Sequence, residues 1–239
     1  DSHHAGVAYG RFDQNRLVDT LRILPKQEES DEPMLGVEEG GLHSAEALLW
    51  ARHFMYTQLY FHPVRRIYDQ HLHEFLQAWL PDGRFSADVK AHLSMTDNEV
   101  LSAMAKAAAD PAAPGHEPAR RIGCREHYKL LYKRNPTDQQ RNKESVKAVY
   151  EAAKQQFGHD AVRIDEYPAK SRGIDFPVWT ASETVESSRM LSETLENVPS
   201  FVVGTVYVRP ELRQTARKWL EENRDTIIGA GQQRETKNP

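Results

Sequence analysis

A guanidinium and two phenols recur at four-residue spacing in the run Trp50-Ala51-Arg52-His53-Phe54-Met55-Tyr56-Thr57-Gln58-Leu59-Tyr60-Phe61-His62-Pro63. On a helix, Arg52, Tyr56 and Tyr60 share one face, stacked turn over turn. Burying such a stripe is costly, because each polar tip then needs a partner. The same stripe suits an anionic ligand: arginine meets phosphate oxygens with a two-pronged fork, and tyrosine offers a flat face and a hydroxyl. It also reads as the half-buried face of an amphipathic helix whose aromatics are core, and the helix taken alone leaves both readings open.

Other residues with chemical potential are weaker. Asp1, His3 and His4 form an acid–imidazole cluster, but adjacent histidines seldom converge on one metal ion. His71 and His73, two apart, fall on different helical faces and do not make a zinc-binding pair. His159-Asp160 stands just after Gly158, where a helix end turns toward a strand. Cys124 has Arg125 and His127 nearby, a neighbourhood that fits either a plain structural thiol or a low-pKa nucleophile. Arg65-Arg66 and Lys133-Arg134 read as solvated doublets or phosphate contacts. No glycine-rich phosphate loop is present.

The elements that would position these groups follow from capping and periodicity. Asp13 reads as the N-cap of a short helix carrying Leu17 and Val18, and Leu21 to Leu24 with Met34 to Val37 read as a strand hairpin within about 20–38. Ser44 is a candidate N-cap for a helix over Ala45 to Phe61. Pro63 either bends this helix or opens a second, which reaches about Leu80. Helices are also expected over Ser86 to Leu93 and, behind the capping box Thr96-x-x-Glu99, to about Ala109. Pro111 to Pro118 reads as a linker. Beyond it come Tyr128 to Tyr132 as a strand or helix start, a helix from Thr137 to Phe157 stopped by Gly158, and strands at Ala161 to Ile164 and Phe176 to Trp179. A helix from Glu183 to about Leu195, a strand at Phe201 to Val208 and a helix from Pro210 to about Asn223 complete the pattern. The fold class is therefore mostly α with an α+β C-terminal lobe and a small mixed sheet. The expected organisation is a helical portion over 1–110, the lobe over 119–228 and a disordered tail over 229–239. No internal repeat is visible.

Composition narrows the setting. Hydrophobic residues make up 39% and charged residues 28%, and the net charge of −4 argues against a general polyanion binder while permitting a local basic pocket. One cysteine allows no intramolecular disulfide, which suits a reducing cytoplasmic compartment, and no apolar run approaches the roughly 20 residues that span a bilayer. The opening Asp1 runs without a methionine into a segment that reads as a cut through something folded, so a longer parent chain is expected.

Two segments together carry a family likeness. Asp1-Ser2-His3-His4-Ala5-Gly6-Val7-Ala8-Tyr9-Gly10-Arg11-Phe12-Asp13 resembles the RDS…YG.FD segment of HD-domain phosphohydrolases, and Trp50 to His62 resembles their AR..MY..VY.H helix. Order and spacing agree, with a hairpin between. The chain resembles the C-terminal half of a deoxynucleoside triphosphate triphosphohydrolase related to the SAM-and-HD-domain enzyme. That resemblance implies roles residue by residue: Asp1 on the sugar 3′-hydroxyl, Arg52 on the terminal phosphate, Tyr56 near the phosphates, and Tyr60 against the deoxyribose, excluding a 2′-hydroxyl. It implies a divalent metal (Mn, Mg, Fe or similar) in the intact protein, a dNTP substrate and a homo-oligomer, with no membrane partner. The family's histidine, His-Asp pair and aspartate ligands precede the Asp1 segment and are absent from this chain, so the expectation is a recognition wall inactive by itself. A nucleotide-binding regulatory or oligomerisation module, and an interaction domain with a chance motif, are the other readings.

Overall fold

The computed structural model describes residues 4–24, 32–167, 175–199 and 201–229. In chain order the elements are α1 (Gln14–Asp19), β1 (Leu21–Leu24), β2 (Met34–Glu38), α2 (Leu42–Met55), a π-turn (Tyr56–Tyr60), α3 (Pro63–Trp79), α4 (Val89–Ser94), α5 (Asp97–Ala109) and α6 (His116–Gly123). Then follow β3 (Lys129–Lys133), α7 (Pro136–Arg141), α8 (Ser145–Phe157), β4 (Val162–Tyr167), β5 (Pro177–Trp179), β6 (Val185–Ser187), α9 (Ser188–Leu191), α10 (Glu193–Glu196), β7 (Val203–Val208) and α11 (Arg213–Gly229). The fold is mostly α with small sheets, as the sequence pattern suggests. No helix among the described residues is long and apolar enough to cross a membrane.

The chain forms two compact units, and each draws on two stretches of sequence: Asp1–Phe61 with Tyr167–Val202, and His62–Glu166 with Val203–Pro239. In the first unit, the Asp13 carboxylate accepts the Arg16 amide at 2.9 Å and starts α1. A mixed sheet runs β1-β2-β5-β6. β1 pairs antiparallel with β2, with Leu24 opposite Met34; β2 pairs parallel with β5, and β5 antiparallel with β6. Leu42 of α2 is buried with Val178 of β5 and Leu195 of α10, and Leu49, Phe176 and Val198 pack around them. Glu46 on α2 also accepts the Ser192 hydroxyl that caps α10. These contacts fix α2 against the sheet.

In the second unit, α3, α5 and α6 meet around buried Phe75, Ala107 and Ala119, with Trp79 stacked on Phe75 at 5.7 Å. A three-stranded sheet, β3-β7-β4, packs with α8 and α11 around Val149, Val162, Val206 and Leu220. Each fully buried side chain of this size stabilises the fold by about 1.5–3 kcal/mol. Asp138, buried on α7, accepts from the Tyr132 hydroxyl, the Asn135 amide and the Arg224 guanidinium at 2.7–2.8 Å, so one carboxylate joins β3, α7 and α11. Burial pushes its pKa up, but these three donors outweigh that and hold it below the ordinary carboxylate value.

Several expectations need correction. Helix α2 begins at Leu42 behind Gly41, so Ser44 lies inside it. Pro63 opens a second helix, with the His62 imidazole accepting the Val64 amide. The helix expected over 86–93 is α4, which starts at Val89 with Asp88 as its cap. Residues 111–118 are a turn and the start of α6 inside the second unit, not a boundary between units. One helix over 137–157 is two, capped by Asn135 and broken at Asn142, whose side chain turns back to the Glu144 amide. The span 183–195 is a strand and two short helices. Glu183 takes a left-handed φ of 60°, and Ser187 and Ser192 each cap a new turn, the local side-chain bonding that makes serine a helix starter. The last helix starts at Arg213 after a 3₁₀ turn and includes Gly229; the tail expected over 230–239 lies outside the described residues.

The entry to α2 has no room for a side chain at Gly41, because a Cβ there would stand 2.0 Å from the Thr20 hydroxyl and 2.8 Å from Val37. Gly41→Ala is expected to destabilise by about 2 kcal/mol and lower the Tm of the chain by about 4–8 °C. Gly123→Ala, where the nearest atom is 3.9 Å away, should not lower it. Thermal melts of both variants check this.

Candidate functional site

The stripe proposed from spacing is a physical cluster in the first unit. The Arg52 guanidinium lies over the Tyr56 ring, 4.9 Å from its centroid, and Nη2 donates to the Tyr56 hydroxyl at 3.3 Å. The Tyr60 ring meets Tyr56 edge-on at 5.1 Å and 76°. Arg52 is exposed, Tyr56 and Tyr60 half-buried. Among the described residues no carboxylate pairs with Arg52, in contrast to Arg66, Arg120, Arg163 and Arg224. Asp1, the fourth expected site residue, and His3 lie outside the described residues.

The backbone beneath the stripe is not plain α-helix. The Phe61 amide donates to the Tyr56 carbonyl at 2.8 Å, a bond five residues long that closes the π-turn. In an α-helix a four-residue step overshoots one turn by about 40°. In a π-turn it falls roughly 30° short. The first offset carries Arg52 to Tyr56 and the second carries Tyr56 to Tyr60. The two nearly cancel, which holds the three side chains in line instead of letting them spiral around the helix. The Thr57 hydroxyl donates to the His53 carbonyl at 3.0 Å, meeting an acceptor that the widened turn disturbs.

A second set of aromatics backs this wall, and sequence spacing gave no sign of it. Phe201 stacks on Tyr56 at 4.5 Å and 28°, and on His53 at 5.4 Å and 23°. Phe61 meets Tyr56 edge-on at 5.4 Å and Tyr167 at 5.0 Å. His53 Nδ1 is buried without a hydrogen-bond partner, so its ring serves here as an aromatic face. Phe201 and Tyr167 arrive from the second stretch of the unit, a long-range closure that no local period reports.

The other candidates take structural places in the second unit. His71 is fully buried. Its Nε2 accepts the Tyr128 amide at 3.4 Å, which leaves Nδ1 to donate to Glu74 at 3.3 Å. His73 is exposed. His159 and Asp160 pair at 3.3 Å on a surface 3₁₀ turn. Cys124 is exposed at the end of α6. Arg65 pairs with Asp69, and Arg66 grips Asp165 with two bonds of 2.6 and 2.8 Å. Among the described residues no group of three or more His, Cys, Asp or Glu side chains could hold a metal ion. These residues do not fit the divalent metal that the resemblance implies.

Glu74 is the most strongly perturbed carboxylate of this unit. Burial pushes its pKa up, but hydrogen bonds from His71 and Arg163, with Arg163 2.9 Å away, bring it down to about 2 from an ordinary 4.5. The Tyr128 ring lies beneath the guanidinium groups of Arg121 and Arg163 at 4.8 and 5.2 Å, so the cluster is charge-compensated. The folded-state value lies below the unfolded one. The stability Glu74 contributes is therefore present above about pH 4.5 and is lost as pH falls toward 2. Glu74→Gln is expected to cost about 1–2 kcal/mol at pH 7, the side chain being partly hydrated, with a smaller gap from wild type at pH 3. Urea denaturation of both proteins at the two pH values measures this.

Residues 12–169 match the family described as the HD associated region. A stretch of 66 residues is 38% identical to uncharacterized protein YwfO of Bacillus subtilis (strain 168), covering 28% of this chain and 14% of that protein. Another match, of 69 residues, is 41% identical to uncharacterized protein MJ1154 of Methanocaldococcus jannaschii, covering 29% and 15%. A solved hypothetical protein from Aquifex aeolicus superposes with a TM-score of 0.75 at 31% identity, covering 92% of this chain and 54% of its own. A phosphohydrolase from Bacteroides thetaiotaomicron VPI-5482 superposes with a TM-score of 0.59 at 17% identity, covering 87% and 58%, a likeness of fold. The chain thus spans about half the length of these solved chains and a much smaller part of the two sequence relatives. It belongs to the HD associated region family, and is an HD-domain-related protein.

Proposed function

We propose that the whole protein is an HD-type nucleotide phosphohydrolase that converts a dNTP to deoxynucleoside and triphosphate, and that this chain supplies its substrate-recognition wall. The observation that carries this reading is Arg52: an exposed guanidinium without a carboxylate partner among the described residues, oriented by the Tyr56 hydroxyl 3.3 Å away. A terminal phosphate offers two oxygens to that fork and replaces one weak phenol contact with charge-assisted bonds. Tyr56 then stands beside the phosphates. Tyr60, edge-on to Tyr56, packs against the deoxyribose and leaves no room for a 2′-hydroxyl. Asp1 takes the 3′-hydroxyl in the same scheme.

The reaction adds water across the bond between the α-phosphorus and the 5′-oxygen. The water oxygen goes to phosphorus and a proton goes to the leaving 5′-oxygen. The groups that activate this water belong to the rest of the protein, and the described residues of this chain bind and orient. The Arg52 contact is remote from the broken bond, so it holds ground state and transition state alike and acts mainly on KM.

Full-length protein with Mn²⁺ or Mg²⁺ is expected to release inorganic triphosphate from dGTP, while this chain by itself releases none. Arg52→Ala in the full-length protein should lower kcat/KM by about 10²-fold, mostly through KM, the scale of a lost bidentate charged contact. No release from any dNTP sinks the enzyme reading, and nucleotide binding without turnover points instead to a regulatory module. Wild-type behaviour of Arg52→Ala removes the assignment of this helix.

A further inference from the structure

We propose that Phe201 is a positioning residue for the recognition wall: it sets the Tyr56 ring, and through it the place of the sugar. This rests on the nucleotide reading above and extends it to a residue outside the 12–169 span that matches the family. Helical tyrosines choose between two main χ1 wells, and a half-exposed ring on a helix is ordinarily free to use both. Tyr56 is not free. Phe201 lies nearly parallel to it at 4.5 Å, within the offset-stacking range, while the Arg52 guanidinium stands 4.9 Å from the same ring. Phe201 is held in turn by His53, one turn back on α2, at 5.4 Å and 23°, and by the edge of Phe61 at 6.1 Å. His53 and Tyr56 are three residues apart and present neighbouring side chains, so one ring from the far end of the unit lies against both.

The chemistry of this contact separates two parts of the ligand. Arg52 reaches phosphate with its own charge, whether or not the Tyr56 ring is fixed. Tyr60 touches Tyr56 edge-on at 5.1 Å, so the direction of the Tyr56 ring decides the shape that the sugar meets. Loss of Phe201 therefore loosens recognition of the nucleoside part and spares that of the polyphosphate. A residue needed only for folding would weaken both together.

The test uses the full-length protein, with triphosphate release from dGTP as the readout and inorganic triphosphate as competing ligand. Phe201→Leu is expected to raise KM for dGTP about tenfold, the size of one aromatic stack, and to leave inhibition by inorganic triphosphate within about twofold. Phe201→Tyr, which restores the ring, should return KM to within about twofold of wild type. Tyr56→Leu combined with Phe201→Leu should be no worse than Tyr56→Leu alone, because the second residue acts through the first. Equal weakening of both ligands, or full multiplication of the two substitutions, overturns the proposal. Where Phe201→Leu does not fold, Phe201→Met takes its place in each comparison. If Arg52→Ala abolishes recognition while Phe201→Leu behaves as wild type, this proposal alone falls. If Arg52→Ala is itself without effect, the nucleotide reading falls and this one with it.

Discussion

The hydrogen bond from the Phe61 amide to the Tyr56 carbonyl governs the candidate site. It closes one wide turn at the end of α2, and that turn decides whether Tyr60 stays in line with Arg52 or rotates away from it. The ending is also chemically complete. Pro63 has no amide to satisfy at the first position of α3, and the His62 imidazole takes the Val64 amide. Thr57 covers the His53 carbonyl. A π-turn is a poorer helix than an α-turn, and it persists here because its neighbours leave few backbone groups wanting.

A wall of this kind works only if its helix is held. The start of α2 is fixed by close approach, with Gly41 against Thr20 and Val37, and Gly40 within reach of Arg16, whose Nη2 donates to its carbonyl at 3.1 Å. Its middle is fixed by burial of Leu42 and Leu49 with Val178, and by the bond from Ser192 to Glu46. Its end is fixed by aromatic stacking. Side chains on a regular element tied at three points keep their geometry better than those on a loop. The apolar anchors lie on the faces of α2 that Arg52 and Tyr56 do not use, so the same helix supplies both packing and recognition.

Local signals in the sequence were legible where the structure is local. Asp13 caps α1, Thr96 and Glu99 form the capping box of α5, Gly158 ends α8 with φ 94°, and Arg52 meets Tyr56 at i, i+4. What escaped has a common physical cause. The spacing of Tyr56 and Tyr60 is the same in an α-turn and a π-turn, so the bond that aligns them leaves no trace in the residue pattern. Phe201 reads as the start of a β run, yet its ring belongs to the site because the chain returns to the first unit after β4. The same return made the proline-rich stretch after α5 look like a boundary, while the compact units instead exchange segments at 61–62, 166–167 and 202–203. Periodicity also failed between Glu183 and Leu195, where serine hydroxyls bond the backbone and break a helical pattern into caps.

The two arginine environments show why the candidate site lies where it does. In the second unit, Arg66 is matched by Asp165, Arg163 by Glu74 and Arg224 by Asp138. Those cations have used their capacity on protein carboxylates, and displacing one by an outside anion would leave a carboxylate stranded, several of them buried or half-buried. Arg52 has a phenol in that role. An incoming phosphate gives up only a neutral hydrogen bond at 3.3 Å and strands no charge. Because the guanidinium is exposed, little desolvation opposes the exchange, and because the π-turn and Phe201 already hold the phenols, little ordering opposes it either. The energetic advantage of this site is thus the low cost of changing partners, which suits a wall that must take up a charged ligand and release it.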